Sequence, residues 1–473
     1  MVFTSSVFLF LFLPIFLAVY HLLPSNRRTL WILIASYLFY GWWRIDFLVL
    51  FIATTAFTYL VGRGLVAGPK RGRYQGLLLT LGVAGNLATL AYFKYFNFGV
   101  ESLDSLLVTL GGSPLLAWQV ILPIGISFYV FQSVSYLVDI HRGDASGSTR
   151  FVDMAAYIAL FPQLIAGPIV RFKELAPQLE SPVASFSDFS QGSLRFMIGF
   201  CKKVLVADMV APLADAVFSL SQPTAAEAAL GALAFAVQLF FDFSGYSDMA
   251  IGLARMMGLR LLENFAMPYR SRTITEFWQR WHISLSRWLR DYLYIPLGGN
   301  RRGRRRTYVN LMLVMLLGGL WHGAAWTFVL WGAWHGLLLV GERLLRENGR
   351  GPRLPRRVAV ARTFLFVALG WITFRADGIA GATAMYSGLL GVHGMGISPQ
   401  LAWQLPSSAV VALAAGCLLI WLPAPAPPPR DSLPAPLPAP AARVATAVIV
   451  PVFLLGVLRM VADSFSPFLY FRF

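Results

Sequence analysis

Charge is what this sequence has least of. Of 473 residues only 13% are Asp, Glu, Lys or Arg and 57% are hydrophobic, against roughly a quarter charged in an ordinary soluble domain. Residues 1–26, 74–93, 105–138, 307–341 and 378–429 hold no charged side chain. A span needs about 20 largely apolar residues, so a soluble enzyme is excluded and an all-α polytopic membrane protein is expected. The runs at 105–138 and 307–341, 34 and 35 residues long, exceed one span, and each should hold a helical hairpin or a re-entrant segment. The apolar length as a whole corresponds to about 10–12 spans.

Cysteine is almost absent. Cys201 and Cys417 lie in apolar surroundings far apart in sequence, which excludes a disulfide framework and a zinc motif. The common catalytic signatures are missing too: no G-x-S-x-G elbow, no phosphate loop, no H-E-x-x-H helix and no His-x4-Asp box. Internal repeats and heptads are lacking, and no soluble stretch is large enough to fold alone, so residues 1–473 read as a single membrane domain. The first apolar run has no basic residue before it and no small-residue cleavage site before His21, which makes it an uncleaved span. Counting passes to Arg27, Arg28 and the Arg63–Arg73 cluster places the N-terminus outside, in the periplasm if the membrane is a bacterial inner one, and the basic clusters inside.

What is present begins with arginine. The net charge is +17, and only 5 of the 39 basic residues are lysines. Arg270 to Arg306 holds ten arginines against Glu276 and Asp291, and Glu342 to Arg362 holds seven against Glu342 and Glu347. These are cytoplasmic loops that touch anionic membrane lipid, or a face that attracts a phosphate-bearing substrate. Nucleic acid is not needed as a partner, because a basic loop on a membrane protein is already explained. Residues 422–443 are rich in Pro and Ala and should form an extended surface loop, and Gln163 to Arg195, with three prolines and several charges, should lie at an interface.

Thr273 to Gly299 (TITEFWQRWHISLSRWLRDYLYIPLGG) is too charged to cross lipid. Its apolar residues Trp278, Trp281, Leu285, Trp288 and Tyr292 recur three or four apart, opposite Arg280, Ser284, Arg287 and Asp291. That is an amphipathic helix at or in the membrane surface, with Thr275 as its cap. His282 falls on the apolar stripe and should point into protein or lipid.

His322 interrupts the charge-free run MLLGGLWHGAAWTFVLWGAWHG, beside Trp321 and among Gly318, Gly319 and Gly323. An ionisable side chain inside a membrane domain is costly and so a functional candidate. The plainer alternative is a histidine that bonds a neighbouring helix, and this serves equally for His335. Asp242 and Asp248, in LFFDFSGYSDMAIG, are a second polar interruption, either a site or an ion pair with Arg255, Arg270 or Arg272. Neutral histidine suits acyl transfer, because near neutral pH it takes a proton from an attacking hydroxyl and returns it to a leaving thiolate. His322 and His282 together point to general-base catalysis in a buried pocket, walled against water by Trp278, Trp281 and Trp321.

The segments ITEFWQRWHISLSRWLRDYLYIPLGGNR and NLMLVMLLGGLWHGAAWTFVLWGAWHG, with LPIGISFYVFQSVSYLVDIHRGD, FPQLIAGPIVRF and FFDFSGYSDMAIG, resemble the membrane-bound O-acyltransferase (MBOAT) family, in particular its branch that acetylates bacterial exopolysaccharide such as alginate. The likeness runs from Met1 to about Gly336. It implies a ring of helices around a tunnel, His322 at the family's fixed histidine and His282 at its more variable polar position. Arg280, Arg287, Asp291, Asp242 and Asp248 then become substrate or tunnel residues. It further implies acyl-CoA, acetyl-CoA in this branch, as a donor substrate with no bound cofactor or metal, a bacterial inner-membrane location, and a serine hydrolase-like periplasmic partner that passes acetyl to exopolysaccharide. Related branches serve cellulose, peptidoglycan or teichoic acid. A transporter would also have many spans and intramembrane charge, but transporters usually show repeated halves.

Overall fold

The computed structural model describes the whole chain except residues 68–71, 116–117, 148–149, 181, 352–353, 423–438, 463–467 and 470–473. The described residues form helices and connections, with no strand among them. Among the described residues, six helices are long and apolar enough to cross a membrane: α1 (Ile45–Ala67), α2 (Arg73–Thr109), α4 (Ala225–Met256), α8 (Trp326–Glu347), α9 (Arg356–Arg375) and α11, apolar over Pro440–Ala462. Phe8–Leu22 and α10 (Ser407–Trp421) are shorter apolar helices. The charge-free runs also spend residues on breaks and shorter helices. In 105–138, α2 stops at Thr109 and α3 (Ile126–Arg142) starts only after an irregular connection. In 378–429 the helices Gly378–Leu389 and Pro399–Gln404 are too short to cross. The run 307–341 does form the expected hairpin, from α7 (Gly303–His322) and α8. Most of the Pro/Ala-rich segment at 422–443 lies outside the described residues, but its end, from Ala439, is already helical and begins α11 (Ala439–Ala462).

The chain divides into two compact units, residues 1–193 with 250–261, and 194–249 with 262–473. In the first, Phe12 and Phe16 pack edge to face on Phe161 with ring centroids 5.4 and 5.0 Å away, each such pair being worth about 0.5–1.5 kcal/mol. α2 and α3 meet at Gly82, where a Cβ would lie 2.6 Å from a Leu137 methyl. The stretch Gln163 to Phe172, placed at an interface by its sequence, is buried. Gln163 Nε2 donates to the Tyr157 carbonyl at 2.7 Å, while its Oε1 has no hydrogen-bond partner among the described residues.

The second unit carries most of α4 and a buried ionic network. Asp242 pairs with Lys203 at 2.6 Å and accepts the Leu469 N–H at 3.1 Å. Asp248 pairs with Arg195 and Lys202, each at 2.6 Å, and Arg195 also holds Glu263 at 2.7 Å. The sequence had suggested Arg255, Arg270 or Arg272 as partners. The actual cations lie upstream because Gly199 and Gly245 let two backbones touch: a Cβ on Gly199 would sit 2.5 Å from the Gly245 carbonyl oxygen.

Candidate active site

Thr273 to Gly299 folds as two short helices, not one. α5 (Ile274–Arg280) begins at Thr273, whose hydroxyl accepts the Glu276 N–H at 3.0 Å. Thr273 and Glu276 have capping-box spacing, and this pair, in place of Thr275, caps the helix. Glu342 of α8 accepts the Ile274 and Thr275 N–H groups at 2.8 and 3.3 Å, so the orphan donors of the first turn are bonded.

The chain then breaks at His282, which takes φ 44° and ψ 55° before α6 (Ile283–Leu289). A left-handed non-glycine residue costs of order 1–3 kcal/mol and persists only where its surroundings hold it. Asn264, fully buried, is the holder. Its carbonyl accepts the Ile283 N–H at 3.0 Å, and its Oδ1 accepts the Ser284 N–H at 3.2 Å and hydroxyl at 2.9 Å. Sequence reasoning missed Asn264, whose only signal was an amide before an aromatic segment.

His282 is completely buried, as its place on the apolar stripe implied. Its ring lies 4.8 Å from Phe243 and 6.0 Å from Trp321, between centroids, and neither ring nitrogen has a hydrogen-bond partner among the described residues. Burial pushes its pKa down, so the imidazole is neutral near pH 7 with one nitrogen lone pair ready for a proton.

His322 ends α7, 6.4 Å from His282 between ring centroids. Trp321 and Trp331 lie 5.1 Å from it and Phe374 of α9 5.4 Å. Glycine brings these rings together. A Cβ on Gly319 would stand 2.2 Å from the Phe328 carbonyl oxygen, and one on Gly332 2.4 Å from that of Met315. Gly318 makes no such approach, since its Cβ would meet Leu289 at an ordinary 3.5 Å.

His322 also lines a cavity of about 250 Å³. Leu311, Val314, Met315, Gly318 and His322 form one stripe of its wall along α7, about 16 Å at 1.5 Å per residue. Trp278, Arg287, Arg290 and Tyr294 complete much of the remainder. The stripe runs from His322 toward the helix end that carries Arg304, Arg305 and Arg306.

The structure thus gathers Trp278 and Arg287 around the cavity with His322, and puts Trp321 against both histidines. Trp281 packs at a tilt on Trp371, 5.0 Å between ring centroids, without lining the cavity. Arg280 pairs with Glu276 and Asp291 with Arg290, each at 2.6 Å. Asp242 and Asp248 line no part of the cavity and belong to the ionic network described above. His335, fully buried, packs at 5.0 Å on the Trp331 ring that also faces His322, and neither of its ring nitrogens has a partner among the described residues. Trp331, Trp371 and Phe374 complete the aromatic wall; Trp331 lies within the histidine segment without a local mark to set it apart, and Trp371 and Phe374 come from α9, well after it.

A polytopic membrane protein with two adjacent buried imidazoles, one facing a narrow apolar cavity, is suited to proton-assisted group transfer with water kept out. The sequence profile of the membrane-bound O-acyltransferase family matches residues 89–375, and the chain belongs to that family. It is an acyl-transfer enzyme and a multi-pass membrane protein, which sets the transporter alternative aside. Among its relatives, the probable alginate O-acetylase AlgI of Azotobacter vinelandii is 48% identical over the full length of both chains. The protein of the same name from Pseudomonas aeruginosa is 53% identical over 82% of this chain and 75% of that one. The peptidoglycan O-acetyltransferase of Helicobacter pylori is 34% identical over 84% and 81%.

Proposed function

We propose that this enzyme takes an acetyl group from acetyl-CoA on the cytosolic side of a bacterial inner membrane and delivers it to an acceptor on the periplasmic side, for O-acetylation of alginate. The observation that carries the chemistry is His322 in the wall of a narrow apolar cavity with a second neutral imidazole beside it. The choice of polymer is supported by the relatives named alginate O-acetylase, one of them matched end to end.

In this reading the pantetheine arm of the donor enters along the α7 stripe, while Arg287, Arg290 and the Arg301–Arg306 turn receive its phosphates, where the planar guanidinium gives bidentate contacts. His322 accepts the proton of the acceptor hydroxyl as its oxygen attacks the thioester carbonyl carbon. The carbon–sulfur bond breaks, and the proton passes to the departing thiolate. Coenzyme A never crosses, so its phosphates stay out of lipid, where each charge costs at least a few kcal/mol. A serine hydrolase-like periplasmic protein fits as acceptor or relay, and the N-terminus lies on the periplasmic side. His282 is the second polar group of the site, and Trp278, Trp281 and Trp321 exclude water.

Purified protein given acetyl-labelled coenzyme A should release or transfer acetyl, and His322→Ala should slow this by about 10²–10⁴, the usual loss of a general base. Undiminished turnover by a folded His322→Ala protein would refute the assignment. The Helicobacter relative makes peptidoglycan the second polymer to test.

A further inference from the structure

The second unit contains a larger cleft, about 850 Å³, that the acyl-transfer site does not use. One wall is α9. Val360, Phe364, Ala368 and Ile372 recur along it at helical spacing, while Trp371 and Phe374 of the same helix turn toward the histidines. α4 and Trp421 of α10 form the other sides. Three arginines, Arg270, Arg356 and Arg357, also line the cleft, two of them at the start of α9.

None of the three makes an ion pair with a carboxylate among the described residues. Arg270 donates to the carbonyls of Ile420, at 2.6 Å, and Leu422. Burial first, then the nearby charges of Arg356 and Arg280, press its pKa down. Guanidinium groups that crowd one another with no carboxylate between them favour an anion, and their planar geometry matches phosphate. From Arg356 to Ile372 the helix rises about 24 Å at 1.5 Å per residue. One leaflet, headgroup included, is about 20–22 Å deep. A soluble anion would satisfy the arginines and leave the apolar walls bare. A lipid satisfies both, and basic pockets between helices are where anionic headgroups bind.

We propose that this cleft holds one anionic phospholipid, its phosphate among Arg270, Arg356 and Arg357 and its acyl chains along the Val360–Ile372 face of α9. Because the same stretch of α9 carries Trp371 and Phe374 against the histidines, the bound lipid packs along the helix that walls the histidine site.

The test is lipid retention by the full-length detergent-purified protein in native mass spectrometry, with phosphatidylglycerol or phosphatidylcholine added. It reads binding alone and is independent of whether acetyl transfer is the reaction. The wild type should retain one phosphatidylglycerol with about a tenfold preference over phosphatidylcholine, and the double variant Arg356→Ala/Arg357→Ala should lose that preference. Leu365→Trp, which fills the cleft from an exposed position two turns from Arg357, should prevent retention. Arg346→Ala/Arg350→Ala, a basic pair outside the cleft, should behave as wild type. Equal retention of both lipids by the wild type, or an unchanged preference in the arginine variant, would overturn the proposal. So would displacement of the lipid by inorganic phosphate or acetyl-CoA, which would make this a soluble-anion site.

Discussion

Replacing Gly319 with Ala tests whether the α7–α8 contact sets the chemistry. The added Cβ would lie 2.2 Å from the Phe328 carbonyl oxygen, whereas ordinary contact begins near 3.4 Å. The clash is with backbone, so no side chain can swing aside, and the two helices must part by about 1.2 Å, the difference of those distances. His322 lies on α7 less than one turn beyond Gly319, and Trp331, which packs on its ring, lies on α8. Parting the helices therefore moves the base away from its wall. Overpacking of this size costs about 1–3 kcal/mol of stability, and a misplacement near 1 Å can cost about 10² in rate. Acetyl transfer by the purified variant should fall by about that factor, with a lowered melting temperature but a folded protein. Gly341→Ala on α8 is the control, because nothing lies within 4 Å of its Cβ; it should keep full activity and gain a little helix stability. A fully active and equally stable Gly319→Ala enzyme would refute the claim that close helix approach positions His322.

Four further outcomes follow from the same geometry. His282→Asn keeps a residue that tolerates the left-handed backbone, so the protein should remain folded while turnover drops; wild-type turnover would make His282 structural only. Asn264→Ala strips acceptors from the Ser284 N–H and hydroxyl and should cost about 1–3 kcal/mol, read as a fall in melting temperature together with activity. Lys203→Met leaves Asp242 without its buried partner and should cost about 3–5 kcal/mol, with partial recovery in Lys203→Met/Asp242→Leu. Arg287→Glu, at the cavity wall, should raise KM for acetyl-CoA more than it lowers kcat, and an unchanged KM would remove Arg287 from the donor path.

The features legible in the sequence were those written in one contiguous stretch. His322 showed itself as a polar residue in a charge-free run, and the length of that run gave the hairpin that turns just after it. His282 was legible through helical period, which placed it on the apolar stripe and so in the interior. The same period concealed the break at His282, because spacing of three or four survives a single left-handed residue. The break depends on hydrogen bonds from Asn264, which no local pattern reveals. Asp242 and Asp248 were recognised as buried carboxylates needing partners, but Lys203, Lys202 and Arg195 reach them only because Gly199 and Gly245 let the backbones approach. The spacing T-x-x-E at Thr273 is a readable cap signal, and it outweighs Thr275, which has Trp278 at the corresponding position.

On this mechanism, acetyl passes through the site at His322 from one side of the membrane to the other. Sealed vesicles of known orientation, loaded inside with acetyl-labelled coenzyme A and given acceptor protein or polymer outside, measure this directly. Label should appear on the outside acceptor with the wild-type enzyme and be lost, by about 10²-fold or more, with His322→Ala, while coenzyme A stays within. Label confined to acceptor enclosed with the donor, or outside labelling that persists without His322, would contradict the account.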